Sequence, residues 1–293
     1  MGLAALACSA IALAGLGPAL RSPIAPPAPG DVALLTVALA NVDISNTQPD
    51  AAQETLAALG ADVLVTLETV FAFRAPEGAL SRRYGHVVNR VRYVYTGAWL
   101  WSTLEPAAGA KVDNSADRPA LVWGRFDLPG GGVVTVVGLH LRRPLTEPQE
   151  SQIAGLLAAL PPLDGPLIVL GDFNAAPWSV AVSRVAEQLG VAPVGGLRMT
   201  WRSKLAGLLG PLGPLMSLPL DHALVSPGIG VEEVRSFELP GSDHRGLLLR
   251  LQAPRRSAPT ASATQEKPSR ASSASSPRAM RAPRLTPPNT SAL

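Results

Sequence analysis

The chain has 293 residues, and its 47% hydrophobic content is enough for one large α/β domain with a substantial core. The single cysteine, Cys8, excludes an intramolecular disulfide and a zinc site built from several cysteines. The net charge of +3 is unevenly placed: residues 252–293 hold seven basic and one acidic side chain, so they carry +6 and residues 1–251 carry −3. The mildly acidic body disfavours a basic nucleic-acid-binding domain.

Strands and helices can be predicted from apolar runs, periodicity and turn residues. In chain order, the predicted strands are residues 32–40, 63–67, 93–101, 121–126, 133–139, 167–170, 220–225, 231–237 and 247–251. The predicted helices are residues 49–59, with Thr47 as the cap, 148–160 and 178–189. Short strands, intervening helices and a glycine-rich hairpin at residues 129–132 favour mixed sheets over a purely parallel sheet.

The two ends of the chain differ in composition from this central part. Residues 1–21 include an uncharged stretch from Gly2 to Leu20, close to the roughly 20 residues that span a bilayer. We favour a membrane anchor there, with a cleaved signal peptide or a packing helix as alternatives. Residues 22–30 are predicted to be a proline-rich linker, residues 31–251 a folded domain, and residues 252–293 a disordered basic tail. This organisation predicts a membrane-anchored or secreted protein with its domain outside the cytoplasm.

Polar residues stand where four predicted strands end. They are Asn41, Glu68, His140 and the segment Gly171-Asp172-Phe173-Asn174. Two Asp-His pairs, Asp221-His222 and Asp243-His244, flank later strands. Ligands of open α/β sheets bind outside the carboxyl ends of strands. Carboxylates beside buried strands are costly unless they coordinate an ion or transfer protons. The pattern therefore predicts a site at one edge of the sheets.

These residues, in this order, resemble the endonuclease/exonuclease/phosphatase superfamily of metal-dependent phosphodiesterases between Leu34 and Leu251. Gly-Asp-Phe-Asn and Ser-Asp-His are specific in combination, whereas Asn41 and Glu68 gain weight from order and spacing. The chain departs from the pattern at Leu67, where many members carry Gln before the metal-binding Glu. The resemblance implies a four-layer sandwich of the α/β (α+β) class, with two packed mixed β-sheets flanked by helices. It also implies that residues 31–251 are a catalytic domain hydrolysing phosphodiester or phosphomonoester bonds.

The resemblance implies a role for each polar strand end. Asp172 looks like the residue that activates the attacking water, and Asn174 like a donor to the phosphoryl oxygen. His140 is similar to a histidine that contacts phosphate or protonates the leaving oxygen. Asp221 matches the acid that orients His244, which is the candidate proton partner or phosphate clamp.

A divalent cation with oxygen ligands would offset the charge of a phosphodiester, which favours Mg²⁺ or Mn²⁺ over zinc. Glu68 is the strongest candidate ligand, and Asn41 offers a neutral carbonyl oxygen beside it. Asp243 either completes the ligand set or orients His244. Arg118 is the candidate substrate contact, because relatives often contact substrate at this point.

Several alternatives stay open at this stage. The substrate is a nucleic acid, a lipid head group or a small phosphodiester, with membrane association through residues 2–20 and no obligate protein partner expected. A non-catalytic cell-surface binding module on the same fold is the alternative function. Residues 196–219, which include Trp201, Arg202 and Lys204, are either a loop at the mouth of the site or an ordinary surface loop.

Overall fold

The computed structural model describes residues 30–69, 71–88, 97–107, 111–113, 120–144, 148–163, 165–203 and 217–255. The predicted N-terminal anchor, most of the linker, Arg118, Lys204 and most of the basic tail lie outside these residues. In the part of the chain that is described, no helix combines the length and hydropathy required to cross a membrane.

The described residues form two six-stranded sheets, a two-stranded hairpin and the helices between them. The strands are β1 (Val32–Asn41), β2 (Val63–Leu67), β3 (His86–Val88), β4 (Trp99–Ser102), β5 (Lys111–Asp113), β6 (Ala120–Asp127), β7 (Val133–His140), β8 (Leu167–Asp172), β9 (Ala192–Val194), β10 (Trp201–Arg202), β11 (Ser217–Leu218), β12 (Asp221–Val225), β13 (Gly230–Glu238) and β14 (Arg245–Pro254). The helices are α1 (Pro49–Ala58), the 3₁₀ turn Phe71–Arg74, α2 (Ala79–Arg83), α3 (Gln149–Ala159) and α4 (Val180–Leu189).

The two large sheets are both mixed. The first has the order β13-β14-β1-β2-β4-β3, and the second has the order β5-β6-β7-β8-β12-β9. The pairs β1–β2 and β7–β8 are parallel, and the remaining neighbours in both sheets are antiparallel. The strands β10 and β11 form the separate hairpin.

Apolar side chains on the two faces of each sheet build three cores. Alternation along β1 shows the principle, because Val37 and Leu39 join the core between the sheets while Ala38 and Ala40 face the other way. That other face of the first sheet packs on α1 and α2, through residues such as Leu56 and Leu80. The outer face of the second sheet packs on α3 and α4 in the same manner. The result is helix, sheet, sheet, helix, which confirms the predicted four-layer sandwich.

Strand polarity brings the polar strand ends to one edge. The parallel pairs place the carboxyl ends of β1 and β2 together, and those of β7 and β8 together. The strand β12 runs antiparallel to β8, so its first residue, Asp221, lies opposite Asp172. Likewise β14 runs antiparallel to β1, so its amino end lies beside Asn41. The parallel and antiparallel pairing of these strands therefore brings segments that are distant in the sequence to one edge of the sheets.

Three local predictions differ in detail from the structure. The cap position of α1 is Gln48 rather than Thr47. Gln48 makes no side-chain capping bond, and Pro49 occupies the first turn. The last strand continues past Leu251 to Pro254, where Ala253 remains buried and pairs with Ala33. Within the predicted strand 93–101, the described strand β4 begins at Trp99.

Candidate active site

The polar strand ends form one connected network at this edge. Asn41, the last residue of β1, donates from Nδ2 to Glu68 Oε1 at 3.1 Å and to Asp172 Oδ2 at 3.1 Å. Its own Oδ1 accepts from the backbone N–H of Asp43 at 3.1 Å. Asn41 thus orients two carboxylates by donating to both, and its predicted role as a metal ligand stays a prediction.

Backbone conformation at the site is unusual. Among the described residues, the non-glycine residues with a left-handed backbone are Asp43 (φ 59°), Glu68 (φ 53°) and Asn174 (φ 46°). Each follows the end of a strand that contributes to the site. Such conformations are costly for residues with a Cβ and persist where surrounding structure enforces them, often at functional sites. In Glu68 the turn brings Oε2 to the backbone N–H of Ile44 at 3.0 Å.

Asp172 lies at the centre of the network and is buried. Its Oδ1 accepts from the backbone N–H of Asn174 at 2.8 Å, and its Oδ2 lies 3.7 Å from His140 Nε2 and 3.8 Å from His244 Nε2. Burial and the nearby Asp221 charge raise the pKa of Asp172 to about 6, while the two histidines oppose that rise. The carboxylate is therefore ionised at neutral pH yet much more basic than an exposed Asp.

Asp221 and His244 form a dyad beside Asp172. His244 Nδ1 lies 2.7 Å from Asp221 Oδ2, and both side chains are buried. Burial disfavours the imidazolium, but the charge and hydrogen bond of Asp221, helped by Asp172 and Asp243, raise the pKa of His244 to about 10. At neutral pH His244 is consequently a cation whose Nε2–H faces Asp172.

His140 and Asn174 complete the predicted catalytic set. Asn174 Nδ2 donates to the Leu141 carbonyl at 2.8 Å and lies 3.5 Å from His140 Nε2. His140 Nε2 is also 3.8 Å from Glu68 Oε1. The same nitrogen of His140 therefore faces two carboxylates and one amide, in a position to contact a phosphate group placed among them.

Four further residues support the site. The sequence placed Trp201 only in a loop that lies either at the mouth of the site or elsewhere on the surface, and it gave no role to Asp43 or Thr200. The buried Thr200 accepts at Oγ1 from the backbone N–H of Asp221 at 3.0 Å. Trp201 Nε1 donates to Asp243 Oδ2 at 3.1 Å, and Asp243 Oδ1 lies 3.9 Å from His244 Nε2. Ser242 Oγ donates to the Asn41 carbonyl at 2.7 Å, and Asp43 fixes the turn after β1. Ser242 stands in the Ser-Asp-His motif, whereas Thr200 and Trp201 carry no comparable local signal.

The other two histidines lie outside this network. His222 is buried, its Nε2 lies 2.8 Å from the Ala175 carbonyl, and its ring meets Phe173 edge-on. Burial lowers its pKa. His86 begins β3 at the far edge of the first sheet. Neither histidine therefore contacts the polar strand ends in the described network.

Two groups of side chains offer ligand atoms for a divalent cation. Asp172, Asp221 and His244 have ligand atoms within 4.8 Å of one another. That group is a possible Asp/Asp/His metal site, in which Asp221 would hold the Nδ1–H of His244 while Nε2 would have to lose its proton to become a ligand. The raised pKa of His244 opposes that loss. Glu68 fits better, because its carboxylate is 22% exposed and Mg²⁺ requires only one or two carboxylates while it keeps several waters.

The fold and this set of side chains are those of a family of nucleases and phosphatases. The chain belongs to the Endonuclease/Exonuclease/phosphatase family, whose model matches residues 38–244. The predicted family, fold class and enzyme class are thereby confirmed.

Individual proteins are similar to the chain in sequence or in fold. A UPF0294 protein from Vibrio cholerae is 29% identical over 169 residues, which cover 57% of this chain and 54% of the relative. The chain thus spans about half the length of the curated relatives it matches. A solved endonuclease/exonuclease/phosphatase from Beutenbergia cavernae is 19% identical with a TM-score of 0.57, covering 75% of this chain and 72% of that one. The 3′ phosphatase NExo from Neisseria, bound to a product DNA hairpin, is 21% identical with a TM-score of 0.54, covering 73% and 98%.

Proposed function

We propose that this protein is a Mg²⁺- or Mn²⁺-dependent hydrolase of phosphodiester or phosphomonoester bonds, acting through the Asp172 centre. The observation that carries the proposal is the burial of Asp172 between His140 and His244, with Asp221 hydrogen-bonded to His244 at 2.7 Å. Carboxylates and histidines converge there, and the pKa of Asp172 is raised to about 6, toward the range that proton transfer at neutral pH requires.

Asp172 is the proposed general base. Its pKa of about 6 leaves it ionised at neutral pH, so it can accept the proton of an attacking water. The amide of Asn41 and the backbone N–H of Asn174 hold the carboxylate in place, one on each oxygen. General base catalysis of this kind contributes about 10²–10⁴-fold to the rate.

His244 is the proposed clamp on the phosphoryl group. Its Nδ1–H is engaged by Asp221, which fixes the ring and leaves Nε2–H as a charged donor toward a phosphoryl oxygen. Charge builds on these oxygens in the transition state, and fixed donors stabilise it. His140 and Asn174 are proposed to contact the phosphate or leaving oxygen from the other side of Asp172.

Glu68 would hold the cation, with Asn41 and Asp243 as further predicted ligands. When bound, the cation would offset the negative charge of the phosphoryl oxygens.

Nucleic acids, lipid head groups and small phosphodiesters remain candidate substrates, and the DNA product bound by the Neisseria phosphatase supports the first of them. Arg118 stays the predicted substrate contact.

The decisive experiment is hydrolysis of bis-p-nitrophenyl phosphate by the purified chain with Mg²⁺, Mn²⁺ or EDTA. We expect turnover that requires the cation and falls roughly 10²–10⁴-fold in Asp172→Asn. A matched control is Asp50→Asn, which changes an exposed carboxylate in the first turn of α1. Turnover that persists in EDTA, or that Asp172→Asn leaves intact, would refute the proposal.

A further inference from the structure

A cavity of about 540 Å³ lies against the catalytic dyad, and two arginines line it. Asp43, Asp243 and His244 contribute to its lining, together with Arg202, Glu238 and Arg245. The mechanism proposed above uses neither arginine. The proposed mechanism therefore gives no role to the two arginines beside His244.

The two arginines share one carboxylate. Glu238 Oε1 accepts from Arg245 Nε at 2.8 Å and also from Arg245 Nη2, while Arg202 Nη2 lies 3.2 and 3.3 Å from the two oxygens of Glu238. The hydrogen bond from Arg245 lowers the pKa of Glu238, so the carboxylate stays ionised. Two cations against one anion leave these three side chains with one positive charge, while the carboxylates Asp43 and Asp243 line the same cavity.

The cluster retains hydrogen-bonding capacity. A guanidinium has five N–H donors in a planar fork that matches a phosphate or carboxylate. The bonds to Glu238 use Nε and Nη2 of Arg245 and Nη2 of Arg202, so Nη1 of each arginine is not used by Glu238. The side chains are 49% and 41% exposed, which leaves them accessible to a ligand.

The backbone fixes both arginines close to the dyad. The Arg202 N–H donates to the Asp243 carbonyl at 2.9 Å, and the Arg245 N–H donates to the Thr200 carbonyl at 2.7 Å. His244 stands between Asp243 and Arg245 in the chain and bridges to Trp201. Arg245 therefore directly follows His244, and Arg202 directly follows Trp201, the residue that bridges to His244.

We propose that Arg202 and Arg245 form a subsite for a second phosphate group of the substrate, attached beyond the phosphate that is hydrolysed. The inference rests on the proposed phosphoesterase function. Glu238 orients the two guanidiniums before the ligand arrives, which lowers the entropic cost of binding. The second phosphate belongs either to the next nucleotide of a nucleic acid or to a phosphorylated inositol, and the experiment distinguishes these sources.

The test compares substrates that differ only by the second phosphate. One pair is thymidine 5′-(p-nitrophenyl phosphate) with and without a 3′-phosphate, and the other is inositol 1,4-bisphosphate against inositol 1-phosphate. We expect wild type to favour the doubly phosphorylated member of one pair. Arg202→Gln and Arg245→Gln should each lower that kcat/KM ratio roughly ten- to hundredfold, as expected for charge-assisted hydrogen bonds. The matched control is Arg82→Gln, since Arg82 forms a similar exposed pair with Glu54 at 3.0 Å and does not line the cavity.

Calorimetric binding of the same compounds in EDTA separates the two proposals. If wild type hydrolyses neither these compounds nor bis-p-nitrophenyl phosphate, the proposed function fails, and the ratio of dissociation constants within each pair still decides the subsite. A preference confined to the nucleoside pair or to the inositol pair supports the subsite and identifies its source. Equal losses on both members of a pair, or ratios that the two substitutions leave unchanged, would overturn the subsite.

Discussion

At the scale of single residues, the site consists of side chains whose charges depend on one another. Asp221 stabilises the imidazolium of His244 through a 2.7 Å hydrogen bond, and its charge also helps to raise the pKa of Asp172. One buried acid thus sets a proton donor and a proton acceptor at the same time. Pairs of groups whose pKa values are pushed apart in this way are typical of acid–base sites.

Glu68→Gln should remove most activity and leave the fold intact. Glu68 is the candidate ligand with the most exposed side chain of the described site. Gln has one carbonyl oxygen, so it can keep one of the two hydrogen bonds that Glu68 accepts from Asn41 and Ile44. Metal affinity measured by calorimetry should fall at least about tenfold, so excess Mg²⁺ should partly restore turnover. The control Glu187→Gln changes an exposed residue of α4. Unaltered metal affinity in Glu68→Gln would remove Glu68 from the metal site.

His244 should make stability depend on pH. Its pKa is raised from 6.5 to about 10 in the folded protein, so the stabilisation is complete below about pH 6.5 and is lost as the pH rises through about 10. The free energy of unfolding in urea with EDTA should therefore fall between pH 7 and 9.5, and His244→Gln should flatten that fall. Asp172, with a pKa of about 6, and Tyr84, whose pKa is raised by burial to about 12, both titrate outside this pH range. Identical slopes in the two proteins would show that the dyad is not charged as described.

At the scale of secondary structure, the site depends on how closely strands and sheets approach. Gly138 of β7 faces the core between the sheets, where an added Cβ would lie 2.5 Å from Val65 Cγ1 of β2. The two sheets can approach at this point only because Gly138 has no side chain. This contact lies two residues before His140, so it also positions the end of β7 that carries a catalytic candidate.

Gly138→Ala should destabilise the domain by about 1–3 kcal/mol, the usual cost of overpacking a core. Urea unfolding should show a lower midpoint with an unchanged slope. Gly155→Ala in α3 is the matched control, because an added Cβ there meets nothing within 4 Å and alanine favours a helix by about 1 kcal/mol. If Gly138→Ala were as stable as wild type, the sheets would not be in contact as described.

At the scale of the whole molecule, the described domain ends close to Arg255, which pairs with Asp31 through Nη1 at 3.0 Å. This ion pair joins the residues that flank the first and last strands of the first sheet. The predicted N-terminal anchor, the linker and the tail, and with them the predicted location outside the cytoplasm, remain proposals.

Deletion of residues 256–293 should leave hydrolysis of a small phosphodiester and the melting temperature nearly unchanged. The segment has few of the aromatic and β-branched residues that build a core. The deletion removes six basic residues and one acidic residue. Association with anionic vesicles or nucleic acid should therefore weaken and become less dependent on salt. Thermal unfolding and vesicle sedimentation measure the two effects. A large fall in melting temperature would show that the tail packs on the domain.

The sequence by itself determined the elements and the chemistry of the strand ends. Apolar alternation and turn residues located most strands and helices within a few residues, because side-chain period and glycine or proline chemistry are local properties. The polar residues Asn41, Glu68, His140 and Asp172 stand out for a local reason too, since each directly follows or ends a buried strand.

Only the tertiary structure decided which of these elements are neighbours. Asp221 lies opposite Asp172, and Arg202 lies beside Arg245, because β12 and the β10 segment pair with partners many residues away. Two other sets of hydrogen bonds also depend on the tertiary structure. Thr200 accepts from the backbone N–H of Asp221, and Glu238 accepts from Arg202 and Arg245. Strand pairing is selected by burial of both sheet faces at once, a property of the assembled sandwich that no local window of sequence contains.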